Sequence, residues 1–152
     1  MITSFMLYGI KINGGIMPLI EWSKNLTIGI ESIDNQHKKL IAIVNTLHDA
    51  MQYPDSRDVL SDIFRELTSY TQTHFAYEEK LFAQYGYQES TEHKRQHAEL
   101  IIQLLELEEK VSRYQQEDLT QEVMMFLKGR LTFHILETDK AYSDFLIAKG
   151  VK

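Results

Sequence analysis

The chain contains 152 residues, of which 43% are hydrophobic and 25% are charged, and its net charge is −6. This length and apolar content predict one folded domain and exclude a disordered chain. The negative charge argues against nucleic acid as a partner, because a phosphate backbone is bound by a basic surface. No apolar run reaches the ~18 residues of a membrane span, so no membrane partner is expected. The absence of cysteine excludes disulfides, thiolate zinc sites, iron–sulfur clusters and thioether-linked haem, so any metal must be held by His, Asp and Glu.

Residues 1–16 are predicted to lie outside the domain as a flexible N-terminal extension. They lack the positive start of a secretory signal, and Gly9 and Lys11 interrupt their apolar residues, so we expect a cytoplasmic location. A glycine pair joins them to Met17. One interpretation is that Met17 is the initiator and that the first sixteen residues are a mis-assigned start. A short accessory strand or docking segment is the alternative.

Four amphipathic helices are predicted to follow an irregular stretch at residues 18–32. Apolar residues recur at helical spacing within 33–52, 57–85, 91–115 and 119–149, and Gly86 and Gly150 end the second and fourth helices. Capping residues are predicted at Ser32 or Asp34, at Asp55 and Ser56, at Ser90 or Thr91, and at Asp118. Short loops make the helices antiparallel neighbours, so the predicted fold is all-α, an up-down-up-down four-helix bundle over residues 17–152.

Ionisable side chains occupy positions where these helical patterns require apolar residues. Burying such groups without partners would cost several kcal/mol each. For one histidine alone, a hydrogen-bonded core position is the common outcome, but five histidines with carboxylates indicate a shared site. The set comprises His37, His74, Glu78, His93, His97, His134 and Asp139. The sixth histidine, His48, lies late in the first helix and is predicted to be a surface or edge residue.

The order of these residues along the helices predicts that they meet at one level of the bundle. They lie at the starts of helices one and three and near the ends of helices two and four, which share one end of such a bundle. The pairs in helices two and three are four residues apart, about 40° round an α-helix. His134 and Asp139 are five apart, about 140° on an ideal helix. The carboxylate must therefore reach inward, or a local π-bulge must rotate it towards the core.

Seven ligands are too many for one tetrahedral zinc ion, so structural zinc is a weak alternative. Five imidazoles and two carboxylates suit a pair of iron-class ions, with bridging carboxylates and one open coordination position. Common di-iron oxidases use Glu-x-x-His motifs, and no such motif occurs here. A histidine-rich set carries less negative charge, which favours reversible binding of a small ligand over cleavage of the O–O bond.

The order and spacing of these residues strongly resemble hemerythrin in its bacterial single-domain form. The resemblance covers about residues 17–149, and it rests on four motifs: Asp34-Asn35-Gln36-His37, His74-Phe75-x-x-Glu78, His93-x-x-x-His97, and His134-Ile135-x-x-x-Asp139 with Tyr142. It implies a non-haem centre of two Fe ions with an oxo or hydroxo bridge, which binds O₂ reversibly. It further implies one iron held by His93, His97 and His134, a second held by His37 and His74 at which O₂ binds, and two bridging ligands, Glu78 and Asp139.

The same resemblance implies an apolar O₂ pocket lined by Phe75, Leu131 and Ile135, with plain core packing as the alternative. One residue departs from the family pattern: many bacterial relatives have tryptophan four residues before His134, where this chain has Arg130. Because an arginine seeks water or a carboxylate, we expect Arg130 to turn outward and the pocket to close less completely.

The leading hypothesis for function is an oxygen carrier, store or scavenger with no enzymatic activity. A di-iron enzyme, peroxidase-like or repairing damaged iron centres, is one alternative, although no proton-relay residue can be nominated from the sequence. An O₂ sensor module is another, although a sensor is usually fused to a signalling domain. A reductase that returns the ferric form to the ferrous state is a further partner, which the sequence does not identify.

Overall fold

A computed structural model describes residues 18–53, 57–113 and 119–152. It contains helices α1 (Glu31–Ala50), α2 (Arg57–Tyr85) and α3 (Ser90–Arg113), followed by a fourth helix over residues 120–148. No strand occurs in these described ranges. The all-α fold and the four predicted helices are therefore confirmed, with boundaries shifted by at most two residues wherever both ends are described.

The fourth helix changes its hydrogen-bonding pattern along its length. Helix α4 (Thr120–Met125) leads into two π-helical segments, π1 (Phe126–Leu131) and π2 (His134–Thr138), and α5 (Lys140–Ala148) completes it. The N–H of Asp139 donates to the carbonyl of His134 at 2.9 Å, a bond that spans five residues instead of four. The π-bulge proposed between these two residues is thus present.

The start of α1 differs from the sequence prediction. Ile30 occupies the N-cap position and makes no side-chain capping bond, so the expected cap at Ser32 or Asp34 is wrong. The buried carboxylate of Asp34 accepts hydrogen bonds from the N–H groups of Ile28 and Gly29 at 2.8 and 3.2 Å. It therefore fastens the preceding segment to the helix. The candidate caps Asp55, Ser56 and Asp118, and the predicted extension at residues 1–16, lie outside the described residues.

Residues 18–30 form the irregular N-terminal segment that the sequence predicts, and hydrogen bonds fix it to the bundle. The side-chain amide of Asn45 accepts from the N–H of Ile20 at 3.0 Å and donates to the carbonyl of the same residue at 2.8 Å. The hydroxyl of Ser143 donates to the carbonyl of Ile28. The segment is thereby held against both the first and the last helix.

Two apolar clusters form the core, and the ionisable residues of α1, α2 and the fourth helix lie between them along the chain. The larger cluster contains Leu40, Phe75 and Ile135, and the smaller contains Ile33 and Tyr142. Each of the predicted ligands on these helices falls between a residue of one cluster and a residue of the other. The apolar layers therefore hold a polar layer whose position is fixed from both sides.

Candidate metal centre

All seven predicted ligand residues meet in one buried cluster, and none of them is more than 4% exposed. Their ligating atoms form two overlapping groups, within each of which all atoms lie within 4.8 Å of one another. The first group comprises Glu78, His93, His97, His134 and Asp139, and the second comprises His37, His74, Glu78 and Asp139. Both carboxylates belong to both groups, so the cluster has two adjoining positions for a cation.

The helices supply these side chains as the bundle geometry predicts. Residues four apart on α2 and α3 project into the same space because they lie on one face of an α-helix. In the fourth helix, segment π2 places Asp139 one turn after His134 on the same face of the helix. Its hydrogen bond spans five residues, so positions five apart come close together. Without that segment, the carboxylate of Asp139 would be rotated away from the centre of the bundle.

The two carboxylates each face both groups of histidines. Atom Oδ1 of Asp139 lies 2.9 Å from Nε2 of His134 and 3.2 Å from Nε2 of His93. Its other oxygen, Oδ2, lies 3.0 Å from Nε2 of His37. Likewise, Oε2 of Glu78 lies 3.0 Å from Nε2 of His97. Its Oε1 faces Nε2 of His74, 3.4 Å away.

Many of these inward-facing atoms have no hydrogen-bond partner among the described residues. They include Nε2 of His93, His97 and His134, Oε2 of Glu78 and both carboxylate oxygens of Asp139. Leaving a buried polar atom unpaired costs about 1–3 kcal/mol, and more for a charged group. A bound cation would satisfy all of them at once. Nitrogen and oxygen donors without sulfur fit iron-class ions, so the residues present fit the predicted metal.

Two outer hydrogen bonds orient the imidazoles. Nδ1 of His74 lies 2.7 Å from Oε1 of Gln36, and Nδ1 of His97 lies 2.9 Å from Oε1 of Glu79. Each oxygen accepts the proton of Nδ1, which leaves the lone pair of Nε2 directed at the centre. Sequence reasoning missed both acceptors, and the signal that could have found them is their position next to predicted ligands in the chain.

Burial and the facing charges together shift the pKa values of the clustered residues, and the carboxylates Asp139 and Glu78 raise the pKa of His134 against the effect of burial. Burial lowers the pKa of His74 and brings the pKa of His97 down to about 4, so both imidazoles are neutral at pH 7. Burial, together with the charge of Asp139, raises the pKa of Glu78. Burial also opposes the charged form of Asp139, but the facing histidines, His134 first, hold its pKa well below the usual range. Neutral imidazoles beside a carboxylate are the forms that bind metals.

Tyr142 also contacts the cluster, although its place in a sequence motif did not indicate a role. Its ring is fully buried, and its hydroxyl donates to Oε1 of Glu78. Burial, together with the charges of Asp139 and Glu78, raises the pKa of Tyr142 well above its usual value. The phenol therefore stays protonated and remains a donor to the carboxylate.

Apolar residues cover the cluster on the side of the larger core cluster. The ring of Phe75 stacks on His97, with centroids 3.7 Å apart and planes 5° from parallel. Leu131 and Ile135 are 1% and 2% exposed. Arg130 points outward, as predicted, and lines a surface groove of about 440 Å³ between α3 and the fourth helix.

His48 belongs to neither group of ligating atoms. It is half-buried, and its Nδ1 lies 3.5 Å from a carboxylate oxygen of its neighbour Asp49. The prediction that it is an edge residue is consistent with this position. In the described parts of the chain, no helix combines the length and hydropathy that a membrane-spanning segment requires.

Comparison with known proteins agrees with this geometry. Residues 28–146 match the family described as the hemerythrin HHE cation binding domain. The chain is 38% identical to bacteriohemerythrin of Pseudomonas aeruginosa strain PAO1, over 84% of this chain and 82% of that protein. It is 34% identical to bacteriohemerythrin of Clostridium acetobutylicum, over 81% and 98% of the two chains. The crystal structure of wild-type hemerythrin superposes with a TM-score of 0.75 at 26% identity, covering 83% of this chain and 96% of that one. The chain therefore belongs to the hemerythrin family.

Proposed function

We propose that this protein binds O₂ reversibly at a non-haem site for two irons and serves as an oxygen carrier, store or scavenger. The observation that carries the proposal is the placement of Glu78 and Asp139. Each presents one oxygen to each group of histidines, which is the arrangement that two bridging carboxylates require. His93, His97 and His134 would hold one iron, and His37 and His74 would hold the other.

The unequal histidine sets support binding of a small external ligand. Ferrous iron supplies the electrons for reversible O₂ binding when it is present. With three imidazoles on one side and two on the other, the two-histidine position is the one with room for O₂. Gln36 holds His74 in the tautomer that directs Nε2 at this position.

The apolar cover supports reversibility. Phe75, Leu131 and Ile135 are buried beside the histidines, and the centroid of the Phe75 ring lies 5.4 Å from that of His134 and 5.8 Å from that of His74. A neutral, apolar ligand enters such surroundings at little cost, whereas water and anions must shed their hydration. These three residues are therefore proposed to line the O₂ pocket and to slow oxidation of the centre.

A role in binding, without enzymatic activity, is the function that we assign. A cytoplasmic location and a reductase partner stay predictions.

The test is metal analysis and optical spectroscopy of protein reconstituted with ferrous iron without oxygen. We expect about two irons per chain, an absorption band that appears on exposure to air, and its disappearance when O₂ is removed. Protein loaded with zinc is the control, because zinc has no redox chemistry and gives no such band. Retention of a single ion contradicts the binuclear site. A band that does not reverse contradicts oxygen carriage and favours an enzyme.

A further inference from the structure

Two tyrosines connect the buried ligand cluster with the protein surface. The hydroxyl of Tyr142 donates to Glu78, and its ring centroid lies 6.3 Å from that of Tyr87 at an interplanar angle of 80°. Phe82 contacts both rings, with centroids 5.0 Å from Tyr142 and 5.1 Å from Tyr87. These separations are those of aromatic rings in direct contact. Tyr142 is fully buried and Tyr87 is half-buried, so the contact leads outward.

Each of the two phenols has a carboxylate at its hydroxyl. Tyr142 donates to Glu78, and the hydroxyl of Tyr87 lies 3.5 Å from Oε2 of Glu89, which is exposed. A phenol that loses an electron becomes a strong acid and releases its proton at once when an acceptor is in reach. A carboxylate beside each ring therefore lowers the barrier to one-electron oxidation of that ring. The buried Tyr142 and the half-buried Tyr87 therefore each have a carboxylate that can accept the phenol proton.

We propose that Tyr142 and Tyr87 form a relay that carries oxidising equivalents from the iron centre to the surface. This inference rests on the iron centre of the proposed function. Hydrogen peroxide is the oxidant, and a small one-electron donor such as ascorbate restores the surface tyrosine. The relay removes excess oxidising equivalents from the iron centre, so that the ligand histidines are not oxidised.

The steps balance as single-electron transfers. Tyr142 gives one electron to the oxidised centre and its proton to Glu78, and becomes a phenoxyl radical. Tyr87 then gives one electron to Tyr142, which takes its proton back from Glu78, and the proton of Tyr87 passes to Glu89. Ascorbate returns one electron to Tyr87, which takes its proton back from Glu89, and the proton that ascorbate loses passes to water. Two passes therefore supply the two electrons that convert one hydrogen peroxide to two waters, and the two protons consumed equal the two that ascorbate releases.

The placement of Tyr85 provides a matched control. Tyr85 packs against the same apolar cluster as Tyr87 and is half-buried like it. Among the described residues, Phe82, Tyr87 and His93 have rings in contact with Tyr142, and Tyr85 does not. A relay that follows ring contacts should therefore use Tyr87 and bypass Tyr85.

The experiment treats iron-loaded protein with hydrogen peroxide in the presence of a nitroso spin trap and locates the adducts by mass spectrometry. Freeze-quenched samples are measured in parallel by electron paramagnetic resonance. The proteins are the unaltered chain, Tyr142→Phe, Tyr87→Phe and the control Tyr85→Phe. Iron content and the reversible O₂ band are recorded first for each, so that a failure of the iron centre is seen separately from a failure of the relay.

We expect an adduct at Tyr87 in the unaltered chain and in Tyr85→Phe, and its loss in Tyr142→Phe. In Tyr87→Phe, the radical signal should persist longer because it stays on the buried Tyr142. Ascorbate should shorten the signal only when Tyr87 is present. An equal adduct at Tyr87 in Tyr142→Phe or in zinc-loaded protein would overturn the relay. So would adducts at Tyr85 or at Trp22, the single tryptophan of the chain, in place of Tyr87 when the iron and the O₂ band are normal.

Discussion

The imidazole of His97 is fixed from two directions. Phe75 stacks on its face, and Glu79 accepts a hydrogen bond from the ring edge. The side chain of Glu79 is 33% exposed, so water screens its interaction with the imidazole only in part. Such a hydrogen bond would strengthen His97 as the metal ligand that we propose.

Replacing Glu79 with alanine should therefore weaken iron binding roughly 10- to 100-fold, as loss of an outer hydrogen bond to a ligand histidine generally does. Competition with a chelator of known affinity measures the change. The control is Glu92→Ala, which removes an exposed carboxylate paired with Arg95 on α3 and should leave the affinity unchanged. Equal losses in the two variants would mean that net charge, and not the hydrogen bond, sets the affinity.

Substitution of single histidines tests which residues hold each iron. His74→Ala removes one of only two imidazoles at one position, so O₂ binding should be abolished while the three-histidine position keeps metal. His48→Ala should leave the oxygenated spectrum unchanged, because His48 lies outside both groups of ligating atoms. Metal analysis and the O₂ band report the two effects. Equal damage from both substitutions would show that the ligand assignment is wrong.

At the scale of single elements, the π2 segment determines whether the fourth helix can supply two ligands. A π-bulge is equivalent to one residue inserted into an α-helix. The backbone N–H of Asp139 bonds to the carbonyl of His134, and the helix continues beyond it as α5. The insertion is thus absorbed within one turn, and the later residues keep their faces towards the core.

Deleting the exposed Glu137 should consequently convert π2 to an α-helical turn and keep both ligands facing inward. The deletion variant is expected to retain about two irons per chain. Deletion of Ala76, which is also exposed and lies between His74 and Glu78, is the control. It rotates the rest of α2 by about 100° and should abolish iron binding. The prediction is contradicted if both deletions have the same iron content.

The outward position of Arg130 leads to a prediction about the pocket. Arg130 adds no apolar cover to the groove that it lines with Leu107 and Phe126, whereas an indole at this position would. Arg130→Trp should slow the decay of the oxygenated band at fixed pH and temperature without changing iron content. Arg130→Ala is the control, since it removes the charge without adding cover. Unchanged or faster decay in the tryptophan variant would exclude Arg130 from control of access.

For the molecule as a whole, we expect the polar layer between two apolar clusters to make folding depend on a bound metal. Without iron, the buried carboxylates and the unpaired imidazole nitrogens face one another, and binding a cation relieves that cost.

Removing iron should therefore lower the melting temperature. A ligand held at about 100 times its Kd stabilises the folded state by about 2.7 kcal/mol, on the order of 5–10 °C for a chain of this size. Scanning calorimetry of the iron-free and iron-loaded forms checks this. Equal melting temperatures would contradict the coupling.

The sequence by itself determined the four helices and which ionisable residues gather in the buried cluster. Helical spacing of apolar residues reports the buried face of each helix, because the periodicity of 3.6 residues depends only on local geometry. Ionisable residues on that face were visible for the same reason. The level at which they meet followed from the alternating direction of helices joined by short loops.

Only the tertiary structure decided how the site is completed. Gln36 and Glu79 accept hydrogen bonds from His74 and His97, and Tyr142 donates one to Glu78. Each bond joins two helices, and no spacing along one helix predicts which atoms meet. Asp34 was expected to cap α1 but instead fastens the preceding segment. That role depends on how the chain turns before α1, which residue propensities do not predict. The choice of a π-bulge over a reaching carboxylate depended on the core on both sides. The apolar clusters fix the faces of α4 and α5, and the backbone between them absorbs extra residues in the two π-helical segments, of which π2 brings Asp139 to the cluster.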